Sequence, residues 1–193
     1  MEYFTRDTLI QRIKSPDSQE SWDDFVAIYT PYLKAVIRNI GINEAEIDDL
    51  LQTVFVTCWE KLAEFTYDTG RGKFRHWLCR IAILTCKNHK RKFARRSELL
   101  SEHMEMDNSA VSPELEKLAD EEWKLFISHK AWENVKQTLS GNMLSAYEKF
   151  LAGEDMREIA AQLGVEYNTV EVYKSRIEKK ILSEMKRLRI ELD

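Results

Sequence analysis

The pattern most able to do chemistry in this 193-residue chain is a run of positive charge between residues 71 and 96. It holds ten Lys or Arg and no Asp or Glu, although the whole chain has a formal net charge of -4. Apolar side chains are interleaved with the cations: Phe74, Trp77, Leu78, Ile81 and Phe93. Fixed cations attract phosphates and aromatic rings stack on bases, so this pattern is typical of nucleic-acid contact.

A helix from about Lys73 to Phe93 would sort this run onto two faces. One face is apolar and would pack against a core: Phe74, Leu78, Ile81, Leu84 and Thr85, with Trp77 at its edge. The other face is basic: His76, Arg80, Lys87, Lys90 and Arg91. An ordinary solvated face is the alternative, but such faces mix both signs because like charges at i,i+4 destabilise a helix.

Two histidines and two cysteines of the same run suggest a zinc site as a second interpretation. The spacing is H-x2-C-x6-C-x2-H, formed by His76, Cys79, Cys86 and His89. On one continuous helix the two histidines lie about 20 Å apart, at about 1.5 Å per residue. Four ligands at about 2.0–2.3 Å from one ion do not span that distance, so we predict neither metal nor cofactor.

Residues 155–181 predict a helix-turn-helix. A packing face on the first helix (Ile159, Ala160 and Leu163) precedes Gly164, where a tight turn needs positive φ. Asn168 or Thr169 is expected to cap the second helix. The outer face of that helix is mainly polar and basic: Val172, Ser175, Arg176, Lys179, Lys186 and Arg187. Such a face suits a major groove, whereas an ordinary helical hairpin in a bundle is the alternative.

The elements that carry these patterns predict an all-α chain. Gly and Pro number only six and three, strand-like alternation is scarce, and apolar residues recur at helical spacing over 22–40 and about 47–65. Gly41 would end the first of these helices and Asn43 would cap the next. Residues 97–122 hold nine acids and one base, which suggests a linker that could screen the basic run in the free protein. We therefore expect two helical domains, 1–96 and 122–193, joined by an acidic linker over 97–121.

The remaining composition indicates a cytoplasmic protein without membrane insertion. The first 13 residues contain charges and no long apolar run, so they predict neither a signal peptide nor a membrane span. Three cysteines make an odd count, and reduced thiols in a cytoplasm are the simplest explanation.

Three motifs in order resemble extracytoplasmic-function sigma factors of the sigma-70 family. Residues 74–82, FRHWLCRIA, followed by Lys87, Asn88 and Arg91, resemble the F-x-x-W-L-x-R-I-A region of that family. Upstream, residues 48–55 are similar to its D-D-x-x-Q-x-x-F segment. Downstream, the helix-turn-helix is similar to its second conserved domain. The resemblance spans nearly the whole chain.

This resemblance implies an RNA polymerase specificity subunit and not an enzyme. A region 2-like bundle would bind core polymerase at its clamp and open the -10 promoter element. A region 4-like helix-turn-helix would bind the -35 element, with the polymerase flap as a further contact. Promoter DNA and an anti-sigma factor are then candidate partners.

The resemblance also assigns residues to each task. The polymerase-binding set is Asp48, Asp49, Gln52 and Phe55. The -10 set is Lys73, Phe74, Arg75, His76, Trp77, Arg80, Lys87, Asn88 and Arg91. The -35 set is Asn168, Thr169, Val172, Ser175, Arg176 and Lys179. Phe55 and Trp77 have core packing as their alternative role.

Two positions depart from the family pattern. Leu84 stands where many members have Asn, four residues before Asn88, so the base captured at -10 is left open. A Glu-Val-Tyr insertion separates Thr169-Val170 from Lys174-Ser175-Arg176, as in planctomycete-type members, and leaves the -35 reading residues open.

Two rival functions remain. A stand-alone helix-turn-helix regulator would bind duplex DNA as a dimer without polymerase. A nuclease using Glu44, Glu46, Asp48 and Asp49 around a metal is the other rival. Acids at a helix N-terminus are more simply explained by capping and the helix dipole.

Overall fold

The computed structural model describes residues 13–14, 19–62, 65, 73–96, 111–139 and 141–192. The all-α prediction is confirmed for these ranges, which contain seven helices and no strand. The helices are α1 (Gln19–Asn39), α2 (Glu44–Leu62), α3 (Phe74–Arg96), α4 (Pro113–Lys136), α5 (Gly141–Leu151), α6 (Met156–Leu163) and α7 (Tyr167–Leu192). Within the described residues, no helix has both the length and the apolar character that crossing a membrane requires.

Local signals set the junction between α1 and α2, as the sequence predicts. Gly41 follows α1 with a φ of +83°, a conformation that most residues with a side chain avoid. The Oδ1 atom of Asn43 accepts a hydrogen bond from the backbone N–H of Ala45 at 3.2 Å, which caps α2. Because of this cap, α2 begins at Glu44, three residues before the predicted start.

The chain divides into two compact units: unit 1 comprises residues 1–126 with 192–193, and unit 2 comprises residues 127–191. Helix α4 begins at Pro113, inside the segment expected to be a linker, and its residues up to Phe126 belong to unit 1. Pro at the first helical position and Glu114 and Glu116 in the first turn favour a helix start, so the acidic composition is compatible with a helix here. Residues 97–110 of the expected linker lie outside the described residues.

Unit 1 has an aromatic core to which four helices contribute. The ring of Phe25 in α1 lies 6.0 Å from those of Phe55 in α2 and Phe74 in α3. Trp123 of α4 stacks on Tyr29 of α1 at 6.4 Å. These edge and stacked contacts stabilise the core beyond the burial of the rings. They also fix the rotation of α2 and α3, and with it the side chains that each helix presents to solvent.

Unit 2 is organised around two small buried clusters. Val135, Leu139, Tyr147 and Ile177 form the first. Ala146, Ile159, Ala160 and Val170 form the second, where α5, α6 and α7 meet. The predicted packing of Ile159 and Ala160 on the first helix of the helix-turn-helix is therefore confirmed.

Candidate nucleic-acid and polymerase interface

Helix α3 is anchored in unit 1 by a broad apolar face. Phe74, Leu78 and Ile81 are buried, as predicted. Leu84 and Thr85 are only half-buried, and the buried surface instead extends to Cys79, Ala82, Ile83 and Cys86. The inward face is thus rotated from its expected direction. The expectation was wrong because α3 packs between the other helices of unit 1, and a two-sided wheel does not represent that environment.

The outward side of α3 forms what we call the basic stripe. It consists of Lys73 at the start of the helix followed by His76, Trp77, Arg80, Leu84, Lys87, Asn88 and Arg91. His76, Arg80 and Asn88 are exposed, and the other helical members are half-buried. From residue 73 to residue 91 the stripe is about 27 Å long at 1.5 Å per residue. It offers several cations to a polyanion along one line, with Leu84 near its middle.

Two predicted DNA-contacting side chains, Phe74 and Arg75, instead point into unit 1. Phe74 is 1% exposed, which leaves its ring no surface on which a base could stack. Arg75 is 8% exposed, because its guanidinium bonds to Asp120 at 2.5 Å and lies 5.6 Å from the ring centre of Trp123. In this conformation both side chains help to position α3, and their contact with DNA stays a prediction.

The surroundings of Trp77 fit both of its alternative roles, core packing and contact with DNA. Its ring packs against Phe65 at 4.6 Å and against Phe74 at 5.3 Å, yet the side chain is only half-buried. One side of the indole is thus held by the aromatic core while part of it reaches solvent beside Arg80. A ring held in this way loses little conformational entropy when a base stacks on it.

The residues of the suspected zinc site are separately engaged. His76 lies 3.4 Å from Asp120, and His89 lies 3.0 Å from Glu46. Burial raises the pKa of Cys79 and of Cys86 to about 11, so both are protonated thiols at neutral pH. In the part of the chain that the structure describes, no three His, Cys, Asp or Glu side chains are grouped closely enough to hold a metal.

The exposed face of α2 carries the predicted polymerase contacts and two more residues. Asp49 and Gln52 are exposed, and Val56 and Trp59 follow on the same side at 58% and 50% exposure. Exposed large apolar side chains beside polar ones are typical of a protein-binding surface. Val56 and Trp59 are not among the predicted contacts, although their spacing from Gln52, i+4 and i+7, places them on the same face of the helix.

Phe55 and Asp48 differ from the other members of the predicted polymerase-binding set. Phe55 is 7% exposed and belongs to the aromatic core, which fits its alternative role, and its contact with the polymerase stays a prediction. Asp48 is exposed and paired with Lys34 of α1 at 2.6 Å. We call the remaining exposed set on α2, Asp49, Gln52, Val56 and Trp59, the α2 surface.

Three of the four acids proposed for a nuclease contact basic side chains near the start of α2. Glu44 is bound by Arg38 at 2.6 Å, and this hydrogen bond lowers the pKa of the Glu44 carboxyl. Glu46 contacts His89, and Asp48 contacts Lys34. Carboxylates that are engaged by three different side chains do not converge on one metal position. Their arrangement favours a structural role.

In the helix-turn-helix of unit 2, the turn forms as the sequence predicts. The second helix does not have its predicted cap. Asp155 caps α6 by accepting a hydrogen bond from the backbone N–H of Arg157 at 2.8 Å. Gly164 adopts a φ of 65° and closes the helix. Helix α7 begins at Tyr167, so Asn168 and Thr169 lie inside its first turn and neither is its cap.

The outward face of α7 retains most of the predicted -35 set. Asn168, Val172, Ser175, Arg176 and Lys179 are exposed, and Thr169 is half-buried. Four of these five exposed residues lie on one side of α7, because they are spaced by 3, 4 and 7 residues: Asn168, Val172, Ser175 and Lys179.

Two basic residues near this face are already occupied. Lys174 lies over the ring of Phe150 at 4.2 Å, so only Ser175 and Arg176 of the Lys-Ser-Arg triplet point outward. Arg187, which the sequence placed on the outer face, bonds to Glu184 and Glu191. The basic part of this face is therefore smaller than predicted.

Comparison with known proteins identifies a family to which part of this chain is similar. Residues 25–96 match the family model for Sigma-70 region 2. The matched segment contains α2 and α3 in full and α1 from Phe25 onward. It therefore includes both the α2 surface and the basic stripe, and the predicted similarity to sigma region 2 is confirmed for this part of the chain.

Two curated proteins that are similar to this chain are both named RNA polymerase sigma factors. RNA polymerase sigma factor CnrH of Cupriavidus metallidurans is 31% identical over 77 residues, which cover 40% of this chain and 39% of CnrH. RNA polymerase sigma factor NccH of Alcaligenes xylosoxydans xylosoxydans is 27% identical over 85 residues, or 44% of each chain. The chain thus spans about two fifths of the length of the curated relatives that it matches.

A solved structure is also similar to this chain over most of its length. The structure of CnrH in complex with the cytosolic domain of CnrY aligns with 92% of this chain and 95% of its own chain. The sequence identity is 23% and the TM-score is 0.39.

Proposed function

We propose that this protein is an RNA polymerase sigma factor that binds core polymerase and directs promoter recognition, DNA melting and transcription initiation. The observation that carries the proposal is the match of residues 25–96 to Sigma-70 region 2, because it covers both surfaces of unit 1 that such a task requires. The α2 surface would bind the polymerase, and the basic stripe would bind promoter DNA. No catalytic residue is assigned.

The proposed division of labour follows the predicted domains. Residues 1–96 would bind the polymerase clamp and the -10 element, residues 97–121 would connect the two domains, and residues 122–193 would bind the -35 element and the flap. The exposed side of α7 supports the last role, because a long helix that follows a tight turn presents its first exposed side chains to a major groove.

Opening the -10 element requires a source of free energy that the basic stripe can supply. Unstacking a base costs a few kcal/mol, which stacking on an aromatic ring recovers in part. The half-buried ring of Trp77 would stack on a base, and Arg80, Lys87 and Arg91 would hold the phosphates without reading the sequence. Leu84, in the middle of the stripe, would offer a base apolar contact in place of an amide.

At the -35 element, recognition of the base sequence would depend on Arg176 and Lys179. Both are exposed cations of α7. An Arg that bonds to two acceptors of guanine is the commonest base-specific contact in a major groove. The separation of Thr169-Val170 from the Lys-Ser-Arg triplet supports a place in the planctomycete-type subgroup of extracytoplasmic-function sigma factors. In this role the protein acts in the cytoplasm, and an anti-sigma factor is a candidate partner.

Binding to core polymerase tests the proposal and its surface together. We expect the protein to co-elute with purified core RNA polymerase, and Asp49→Lys to weaken that binding at least tenfold because it reverses the one formal charge of the α2 surface. Asp24→Lys is the matched control, since Asp24 is also an exposed acid and lies on α1. A wild-type protein that binds duplex DNA as a dimer and ignores core polymerase would reject the sigma assignment in favour of a stand-alone regulator.

A further inference from the structure

An acidic side chain from α4 occupies the start of the basic stripe. The carboxylate of Asp120 accepts a hydrogen bond from the guanidinium of Arg75 at 2.5 Å and lies 3.4 Å from Nε2 of His76. The Asp120 side chain is 47% exposed, whereas that of Arg75 is 9% exposed. Asp120 is therefore the solvent-exposed member of the pair that it forms with the largely buried guanidinium of Arg75.

The helix segment that carries Asp120 is held firmly against unit 1. Trp123, one turn later, is 3% exposed and packs its ring against Tyr32 at 5.0 Å. The hydroxyl of Tyr32 donates a hydrogen bond to the carbonyl of Ala119 at 3.3 Å. Glu122 accepts one from Asn39 at 2.8 Å. Contacts on both sides of Asp120 thus fix its position over Arg75, unlike those of a surface ion pair formed by two mobile side chains.

The contacts of Asp120 are those that a DNA phosphate would make. A carboxylate and a phosphodiester each carry one negative charge on two oxygens, and a guanidinium donates to either with the same geometry. Partial burial would raise the pKa of Asp120, but the hydrogen bond and charge of Arg75 outweigh it and hold the pKa below its usual value. The carboxylate is therefore ionised at neutral pH and repels an incoming phosphate.

We propose that Asp120 occupies a phosphodiester subsite formed by Arg75 and His76, and thereby weakens DNA binding by the free protein. The inference rests on the proposed function, because it takes α3 as the DNA-contacting helix. Rotation of the Asp120 side chain alone would open the subsite, since Trp123 holds the helix. In an initiation complex, other contacts would hold the promoter DNA, and one of its phosphates would compete with Asp120 for the subsite. In the free protein those other contacts bind DNA only weakly, so Asp120 would keep the subsite.

The test is DNA binding by the full-length protein with Asp120→Asn. Fluorescence anisotropy with a labelled single-stranded oligonucleotide would be recorded between 50 and 300 mM KCl. We expect about fivefold tighter binding at 0.1 M salt and a log–log salt slope steeper by about 0.7, the value for one added phosphate contact on a single strand. Asn retains an oxygen that accepts from Arg75, so the fold is expected to persist.

Glu121→Gln is the matched control, because it removes the same charge from the next residue. Glu121 is 59% exposed and its ion-pair partner is Lys117 at 4.0 Å, on the same helix. We expect its salt slope to equal that of the wild type. Asp120→Glu, which retains the charge, should also bind like the wild type, and adding His76→Gln to Asp120→Asn should remove most of the gain. Affinities would be compared at a temperature at which circular dichroism shows every variant folded.

Equal gains from Asp120→Asn and Glu121→Gln would overturn the inference, because they would reflect net charge alone. An unchanged affinity of Asp120→Asn would overturn it as well. Both results leave the proposed function intact if the wild type still supports promoter-dependent transcription with core polymerase. Failure of that transcription would instead contradict the proposed function.

Discussion

Removal of two cations from the basic stripe gives the most quantitative prediction. Arg80 and Lys87 lie seven residues apart on the outward side of α3, which is about 10 Å along the helix. Substituting both with Gln removes two charges and preserves chain length and helix propensity. If each side chain neutralises one phosphate, the double variant should lose two counterion-releasing contacts with DNA.

The size of the effect follows from counterion release. Each contact with a single strand contributes about 0.7 to the log–log salt slope, so the slope should fall by about 1.4. The contribution of counterion release to binding vanishes near 1 M salt. A salt slope lower by about 1.4 therefore predicts DNA binding about 25-fold weaker at 0.1 M salt. That loss corresponds to about 1.9 kcal/mol of binding free energy.

The assay is anisotropy with a single-stranded -10 oligonucleotide across a salt series, together with co-elution with core polymerase. Arg80→Gln/Lys87→Gln should weaken DNA binding and leave core binding unchanged. Lys117→Gln/Lys124→Gln is the control, since it removes two exposed cations at the same seven-residue spacing from α4. If both double variants flatten the salt slope equally, or if the α3 variant leaves it unchanged, the basic stripe is not the phosphate-binding surface.

Three further predictions concern burial and local structure. Burial raises the pKa of Cys58 to about 12 and those of Cys79 and Cys86 to about 11. A thiol reagent at pH 8 should therefore label the native protein slowly and the urea-unfolded protein at all three sites. Rapid labelling of the native protein would show that the thiols are accessible. Gly164→Ala should lower the free energy of unfolding by about 1 kcal/mol in urea melts, because a methyl group is strained at a φ of 65° even though no atom beyond the adjoining residues lies within 4 Å of it. Unchanged stability would refute that strain. Asp155→Ala should cost about 1 kcal/mol through loss of the α6 cap, whereas Asp155→Ser should retain most of the stability.

The features that the sequence predicts well depend on residues close together in the chain. The positive φ of Gly41 and Gly164 and the cap at Asn43 require only a few neighbouring residues. The apolar spacing of α1, α2 and α3 likewise predicts the helices themselves. These interactions are local, so one sequence is enough to infer them.

The features that the sequence did not predict depend on partners distant in the chain. Arg75 belongs to a run of ten cations, and nothing near it indicates a carboxylate 45 residues later at Asp120. The acidic composition around Asp120 suggested a solvated linker, whereas Trp123 packs that helix onto unit 1. The same packing rotates the buried face of α3 toward Cys79 and leaves Leu84 half-buried.

Promoter melting with core polymerase tests the central claim most directly. Core RNA polymerase would be mixed with this protein and a library of supercoiled promoter fragments, and unpaired thymines would be mapped with permanganate before transcripts are sequenced. We expect unpaired thymines near the -10 element and defined transcript starts only when both proteins are present. Melting and transcription that occur equally without this protein, or not at all with it, would contradict its assignment as a sigma factor.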